Sequence, residues 1–142
     1  MDYVIDASVA AKWCLPAVQE TLVAEANELL RRQTDGSVRF VVPDLFWAEM
    51  GNILWKSVRV GRCTREFAES SLDKLKQRQI PTIPCESLVG PAFAIAVKYD
   101  RTAYDSLYVA LTLEIGGQLV TADERLANAL ASRLPVKWLG GL

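Results

Sequence analysis

Five short apolar runs, at residues 2–6, 38–42, 80–84, 118–121 and 136–139, alternate with longer stretches of helical period. This alternation constrains the fold more than any other feature. Strands separated by helices cannot pair as tight hairpins, so they line up largely parallel in one sheet with helices on its faces. The helical stretches lie near 17–33, 44–58, 64–78, 87–98, 102–115 and 123–133. Gly36, Gly61, Pro81, Pro84 and Gly116-Gly117 stand at the boundaries, where helix stops and turns belong. There is no internal repeat, low-complexity tract or linker. The expectation is one α/β domain over 1–142, a five-stranded, mostly parallel sheet flanked by about six helices. Two helical stretches separate the third and fourth strand runs, so alternation alone does not fix the direction of either.

Composition narrows the chemistry by exclusion. There is no histidine, which removes imidazole acid–base catalysis, Ser–His and Cys–His nucleophile pairs, and the commonest zinc ligand. Cys14, Cys63 and Cys85 are scattered without C-x-x-C spacing, as reduced thiols are. No apolar run reaches the length of a membrane span, and Met1-Asp2 does not begin a signal peptide, so a cytoplasmic location is expected. A net charge of −1 makes the whole chain no electrostatic trap for nucleic acid. Lys56, Arg59, Arg62 and Arg65 nevertheless crowd one segment, followed by Lys74, Lys76 and Arg78.

Four carboxylates sit where an acid is out of place. Asp6 ends the first strand run, at the carboxyl end where open α/β sheets bind ligands; an N-cap or Asx-turn opening the Ala7-Ser8 segment is the structural alternative. Glu49 interrupts Leu45–Trp55, in which every other residue except Asn52 is apolar or glycine. Glu49 and Asn52 share a helix face, and an ion pair with Lys56 is the competing explanation. Asp105 lies in a capping box, Thr102-Ala103-Tyr104-Asp105, at the head of an almost wholly apolar helix. Asp123 follows the strand Leu119-Val120-Thr121 at a helix start, where N-capping is also available, and Glu124 comes next.

Each acid has a structural reading, but the conjunction asks for more. Two charges 4 Å apart cost about 4 kcal/mol at an effective dielectric near 20. Protons, basic side chains or a divalent cation must offset that cost. An oxygen-only donor set without His or Cys suits Mg²⁺ or Mn²⁺ rather than zinc, and such a site supports phosphodiester hydrolysis by a metal-activated water.

The motifs V-I-D-A-S-V, E-M-G-N, Y-D-S-L-Y-V-A-L and L-V-T-A-D-E-R-L, in this order along nearly the whole chain, resemble those of PIN-domain ribonucleases, specifically the VapC-like toxins of toxin–antitoxin pairs. The resemblance implies that Asp6, Glu49, Asp105 and Asp123 are the catalytic and metal-binding acids. It implies that Ser8 and Thr121 hydrogen-bond beside the first and last of them and that Asn52 supports Glu49. It further implies an endoribonuclease that uses Mg²⁺ or Mn²⁺, forms a homodimer and is inhibited by a cognate antitoxin. Lys12, Arg101 and Arg125 are the candidate contacts to the RNA substrate near the scissile phosphate. Trp13, Trp47 and Trp55 are candidates for stacking or for an interface. Two rival readings stand beside this one. The first is a catalytically inactive PIN-like domain that only binds protein. The second is an acidic phosphotransfer domain, which fits less well because Asp6 is followed by Ala7-Ser8 and not by a second acid.

Overall fold

The computed structural model describes residues 1–142. Strands β1 (Asp2–Ile5), β2 (Arg39–Pro43), β3 (Thr82–Ile83), β4 (Gln118–Thr121) and β5 (Val136–Trp138) form one sheet in the order β3-β2-β1-β4-β5. Every neighbouring pair is parallel, so the sheet is entirely and not mostly parallel. β1 lies at the centre with Tyr3, Val4 and Ile5 buried, as a strand covered on both faces requires. β3 keeps only two residues of the expected run 80–84, because Pro81 and Pro84 flank it and cannot donate to a ladder.

Seven α-helices surround the sheet where about six were expected: α1 (Ala7–Cys14), α2 (Val23–Thr34), α3 (Leu45–Arg59), α4 (Arg65–Gln77), α5 (Val89–Tyr99), α6 (Ala103–Ile115) and α7 (Glu124–Leu130). The additional helix is α1. β1 passes into it through Asp6 alone, with no turn residues to announce a change of period. Its Ala7, Val9, Ala10, Ala11 and Cys14 are buried, so packing against the sheet sustains eight residues that would not hold a helix in isolation. The expected helix at 17–33 divides. Residues 17–19 form a separate 3₁₀ turn, and α2 starts only after Leu22, whose backbone is left-handed with φ 57°.

The central helix is α6. Ser106 through Thr112 are all buried, and the helix packs against β1, β2, β4 and α5. Gly116 ends it in the left-handed conformation with φ 67°. Gly117 then passes against the carbonyl of Asp2, an approach that leaves no room for a Cβ. This close passage places the end of α6 at the amino edge of the sheet, where β4 begins. Thirteen residues of helix span about 20 Å, so the first turn of α6 lies at the opposite, carboxyl edge. No helix is long and apolar enough to cross a membrane.

Gly117→Ala should therefore lower unfolding stability by about 1–3 kcal/mol, the ordinary cost of overpacking. Urea denaturation measures it, and an unchanged midpoint would show that the β1 start yields freely.

Candidate active site

The sheet is filled outward from β1 in two directions, first to β2 and β3 and then, across β1, to β4 and β5. β1 and β4 thus flank a topological switch point, the place where open α/β sheets leave a crevice at their carboxyl edge. Asp6 follows β1 directly, and its backbone N–H donates to Val120 O of β4 (3.1 Å). Asp123 lies two residues past the end of β4. Asp105 comes from the first turn of α6 and Glu49 from α3, which succeeds β2 on the other side of β1.

Asp6 is the N-cap residue of α1, yet its side chain makes no capping hydrogen bond. Two hydroxyls hold it instead. Ser8 Oγ donates to Asp6 Oδ2 at 2.8 Å and Thr121 Oγ1 donates to the same oxygen at 2.7 Å. Both hydroxyls are oriented by the turn after β4. The N–H of Ala122 donates to Ser8 Oγ (3.0 Å), and the N–H of Asp123 donates to Thr121 Oγ1 (3.0 Å). With their acceptor sides taken by backbone donors, their protons point at Asp6. Both hydroxyl bonds fall on Oδ2 and neither on Oδ1. Ser8, expected beside the first acid, bonds Asp6, and Thr121, expected beside the last, donates to Asp6 while accepting from the backbone N–H of Asp123.

The helix-start acids keep their capping geometry. Thr102 Oγ1 accepts from the N–H of Asp105 (3.1 Å), so Thr102 is the cap and the Asp105 carboxylate is not consumed by that bond. Asp123 caps α7 through Oδ1, which accepts from Leu126 N–H (3.2 Å), leaving Oδ2 uncommitted. Glu49 makes no ion pair with Lys56. Its Oε1 accepts from the hydroxyl of Tyr108 at 2.6 Å. Asn52, expected to support Glu49, is exposed and its amide takes part in no hydrogen bond, so that role falls to Tyr108. Tyr108 has no part in the sequence reading, although it is the one phenol three residues beyond Asp105 on a buried apolar helix.

Electrostatics ties the four acids together. Burial, joined by the nearby charge of Asp123, holds the Asp6 carboxyl above the ordinary range, and the bonds from Thr121 and Ser8 offset only part of this. Glu49 is raised first by burial and then by the charges of Asp6 and Asp105, against the Tyr108 bond. Asp105 is raised by burial and by Asp6 and Asp123, with Arg101 opposing. The Tyr108 phenol is pushed up by burial and by Asp6, which keeps it a hydrogen-bond donor. No basic side chain lies within ion-pair distance of any of the four acids. An all-oxygen set, mutually repelling and without an ion-paired protein cation, fits a hard divalent cation. No three of the carboxylates are drawn together tightly enough to hold one ion as the side chains stand.

The basic candidates separate. Lys12 is committed: its ammonium pairs with Glu20 at 3.2 Å, both side chains are largely buried, and Arg62 pairs with the same carboxylate at 2.7 Å. Lys12 is therefore not presented to a phosphate. Arg65 pairs with Glu69, and Arg59 lies over the Trp55 ring. Arg101 faces Asp105, and its buried Nε has no acceptor. Arg125 is exposed on α7 without an ion-pair partner. Trp13 stacks on Phe40 and donates to Ala26 O, and Trp47 donates to Thr82 Oγ1, so both are structural; Trp55 is exposed.

The model of the PIN domain matches residues 3–130. The chain belongs to the PIN-domain family. It is 33% identical over 130 residues to Ribonuclease VapC3 of Pyrobaculum aerophilum, covering 90% of this chain and 94% of that one. Solved structures share the fold. PAE2754 of Pyrobaculum aerophilum superposes with a TM-score of 0.68 at 22% identity, over 99% of this chain and 85% of its own. VapBC2 of Rickettsia felis, bound to a DNA fragment from its promoter, gives 0.68 at 14% identity, over 97% and 98%. VapC20 of Mycobacterium tuberculosis, a toxin that cleaves the sarcin-ricin loop, gives 0.64 at 15% identity, over 90% and 95%.

The raised carboxyls dictate a pH dependence. Because the folded PIN domain disfavours the charged forms of Asp6, Glu49 and Asp105, their stabilising contribution is complete below about pH 4 and is lost as pH rises through the raised values. Asp6→Asn keeps an acceptor for both hydroxyls and removes the charge. In EDTA the variant should melt above wild type at neutral pH, with the gap closing toward about pH 4. Equal melting temperatures across that range would show that the hydroxyls neutralise the cost of Asp6 completely.

Proposed function

We propose that this PIN domain is a divalent-metal-dependent endoribonuclease and the toxin of a toxin–antitoxin pair, with Asp6, Glu49, Asp105 and Asp123 holding Mg²⁺ or Mn²⁺. The observation that carries this reading is the gathering of four acids at the sheet's switch point, three of them, Asp6, Glu49 and Asp105, held above the ordinary carboxyl range by burial and neighbouring negative charge, with no basic side chain within ion-pair distance. The 33% identity to a VapC ribonuclease supports RNA as the substrate, and the VapBC fold relatives support an antitoxin partner. A domain kept only to bind protein has no use for a half-buried set of mutually repelling acids that costs it stability.

A bound divalent ion would supply Lewis-acid stabilisation of charge developing on the phosphate and acidify a water. The chain's own residues do the rest. Ser8 and Thr121 fix Asp6 through one oxygen, Oδ2. Tyr108 fixes Glu49 in the same manner. Arg101, whose guanidinium charge acts on Asp105, is the candidate to hold a phosphate oxygen. Without histidine there is no ready acid–base pair to activate a ribose 2′-hydroxyl, so water is the nucleophile and the products carry 5′-phosphate ends. For the homodimer, the candidate face is the stripe Val89, Phe93 and Val97 on α5, which is 54%, 67% and 69% exposed. It is uncharged, as an isologous contact between identical patches favours.

Purified protein should cut total cellular RNA into discrete fragments with 5′-phosphate ends when given Mg²⁺ or Mn²⁺, and should cease to do so in EDTA or as Asp6→Asn. EDTA-resistant cleavage or cyclic-phosphate ends would overturn the mechanism. Thr121→Val should weaken Mn²⁺ binding about 10–100-fold by calorimetry, the usual loss when a ligand's supporting partner is removed. Undiminished affinity would take Thr121 out of the site.

A further inference from the structure

A pocket of about 300 Å³ opens beside the acids, between α3 and the first turn of α6, lined by Leu45, Ala48, Glu49, Asn52, Ile53 and Tyr104. Its walls are mostly apolar. Two of its polar groups have nothing to do within the fold. The Asn52 amide makes no hydrogen bond, and the Tyr104 ring is 63% exposed although its neighbours on α6 from Ser106 onward are buried. Glu49 is shared by the pocket and the acid cluster, so whatever occupies the pocket is continuous with the scissile position. No lysine or arginine lines it and one carboxylate does, which excludes a phosphate as its occupant.

We propose that this pocket is a nucleobase subsite that receives the unstacked base of the nucleotide next to the scissile phosphate, stacked on Tyr104 and read at its edge by Asn52. The inference rests on the ribonuclease reading and extends it to substrate recognition. Proteins that read single-stranded RNA splay bases onto aromatic rings and bond their edges with side-chain amides. The stacking is indifferent to base identity because every base has a π-face. Selectivity at this position therefore falls to Asn52, which offers two donors and one acceptor. Tyr104 precedes Asp105, and Asn52 follows Glu49 by one turn, so the two reading residues are carried by the same two helix segments that carry the acids.

The test is binding of short fluorescent single-stranded oligoribonucleotides of random sequence, with Asp6→Asn preventing cleavage, alongside sequencing of fragment ends produced on the wild-type background. Tyr104→Ala should weaken RNA affinity roughly 5- to 150-fold while Tyr104→Phe, which keeps the stacking face, stays within about twofold. Asn52→Ala should flatten the base preference at the position flanking the cut. Mn²⁺ affinity, measured calorimetrically, should be the same in all three. RNA binding unchanged in Tyr104→Ala overturns the subsite and leaves the nuclease reading standing. Parallel losses of RNA and Mn²⁺ affinity would make Tyr104 a support of the acid cluster, and loss of antitoxin binding alone would give the pocket to protein; either overturns the proposal. No RNA binding by any form, with no cleavage by wild type, overturns subsite and nuclease reading together.

Discussion

Four carboxylates converge on one edge of a parallel sheet, and the chain supplies no ammonium or guanidinium within ion-pair distance to neutralise them. Most of the local architecture follows from that uncompensated charge. Asp6 is tolerated at the end of the central strand because two hydroxyls donate to one of its oxygens, and those hydroxyls are themselves held by backbone N–H groups of the turn after β4. Glu49 is tolerated on a largely apolar helix because a buried phenol donates to it. Neutral donors orient each acid without cancelling its charge. A lysine in their place would satisfy the geometry and remove the reason for a cation to bind.

α6 makes the convergence possible. It is buried along most of its length, which aligns it rigidly against β1, β2 and β4, and both ends are set by small-residue chemistry. Thr102 caps the start and so presents Asp105 at the carboxyl edge. Gly116 turns the chain, and Gly117 lets it pass the start of β1. Because Tyr108 lies one turn below Asp105, the same helix supplies one acid and the support of another. Some of the protein's positive charge meanwhile ties elements together. Glu20 gathers Lys12 of α1 and Arg62 beyond α3, pinning the connection before α2. Within the crowded basic segment Arg62 and Arg65 are paired and Arg59 lies over the Trp55 ring, whereas Arg125 on α7 has no ion-pair partner.

Much of this was legible from residue order alone. The alternation of strand and helix periods specified a parallel α/β domain. The four acids stood out because each follows a strand or interrupts an apolar helix. Ser8 and Thr121 came from the family resemblance of the motifs around the first and last acids. α1 was not readable as a helix, because its eight residues hold through tertiary packing and its one cap candidate, Asp6, stood out as a strand-end acid. The partition of polar side chains among partners was not readable either. Asn52 sits one helical turn from Glu49 and was the natural support by spacing, yet the bond comes from Tyr108, fifty-nine positions away along the chain. Lys12 was near Asp6 in sequence but faces Glu20.

The sequence by itself determined the period of each element, the location of the unpartnered acids, and the absence of any imidazole chemistry, since all three are properties of local pattern and composition. Only the tertiary structure decided the strand order that sets β1 beside β4, the direction of α6, and which hydroxyl or cation meets which carboxylate. Those depend on which distant surfaces are buried against each other, and burial in a folded chain couples residues by position in space and not by separation along it.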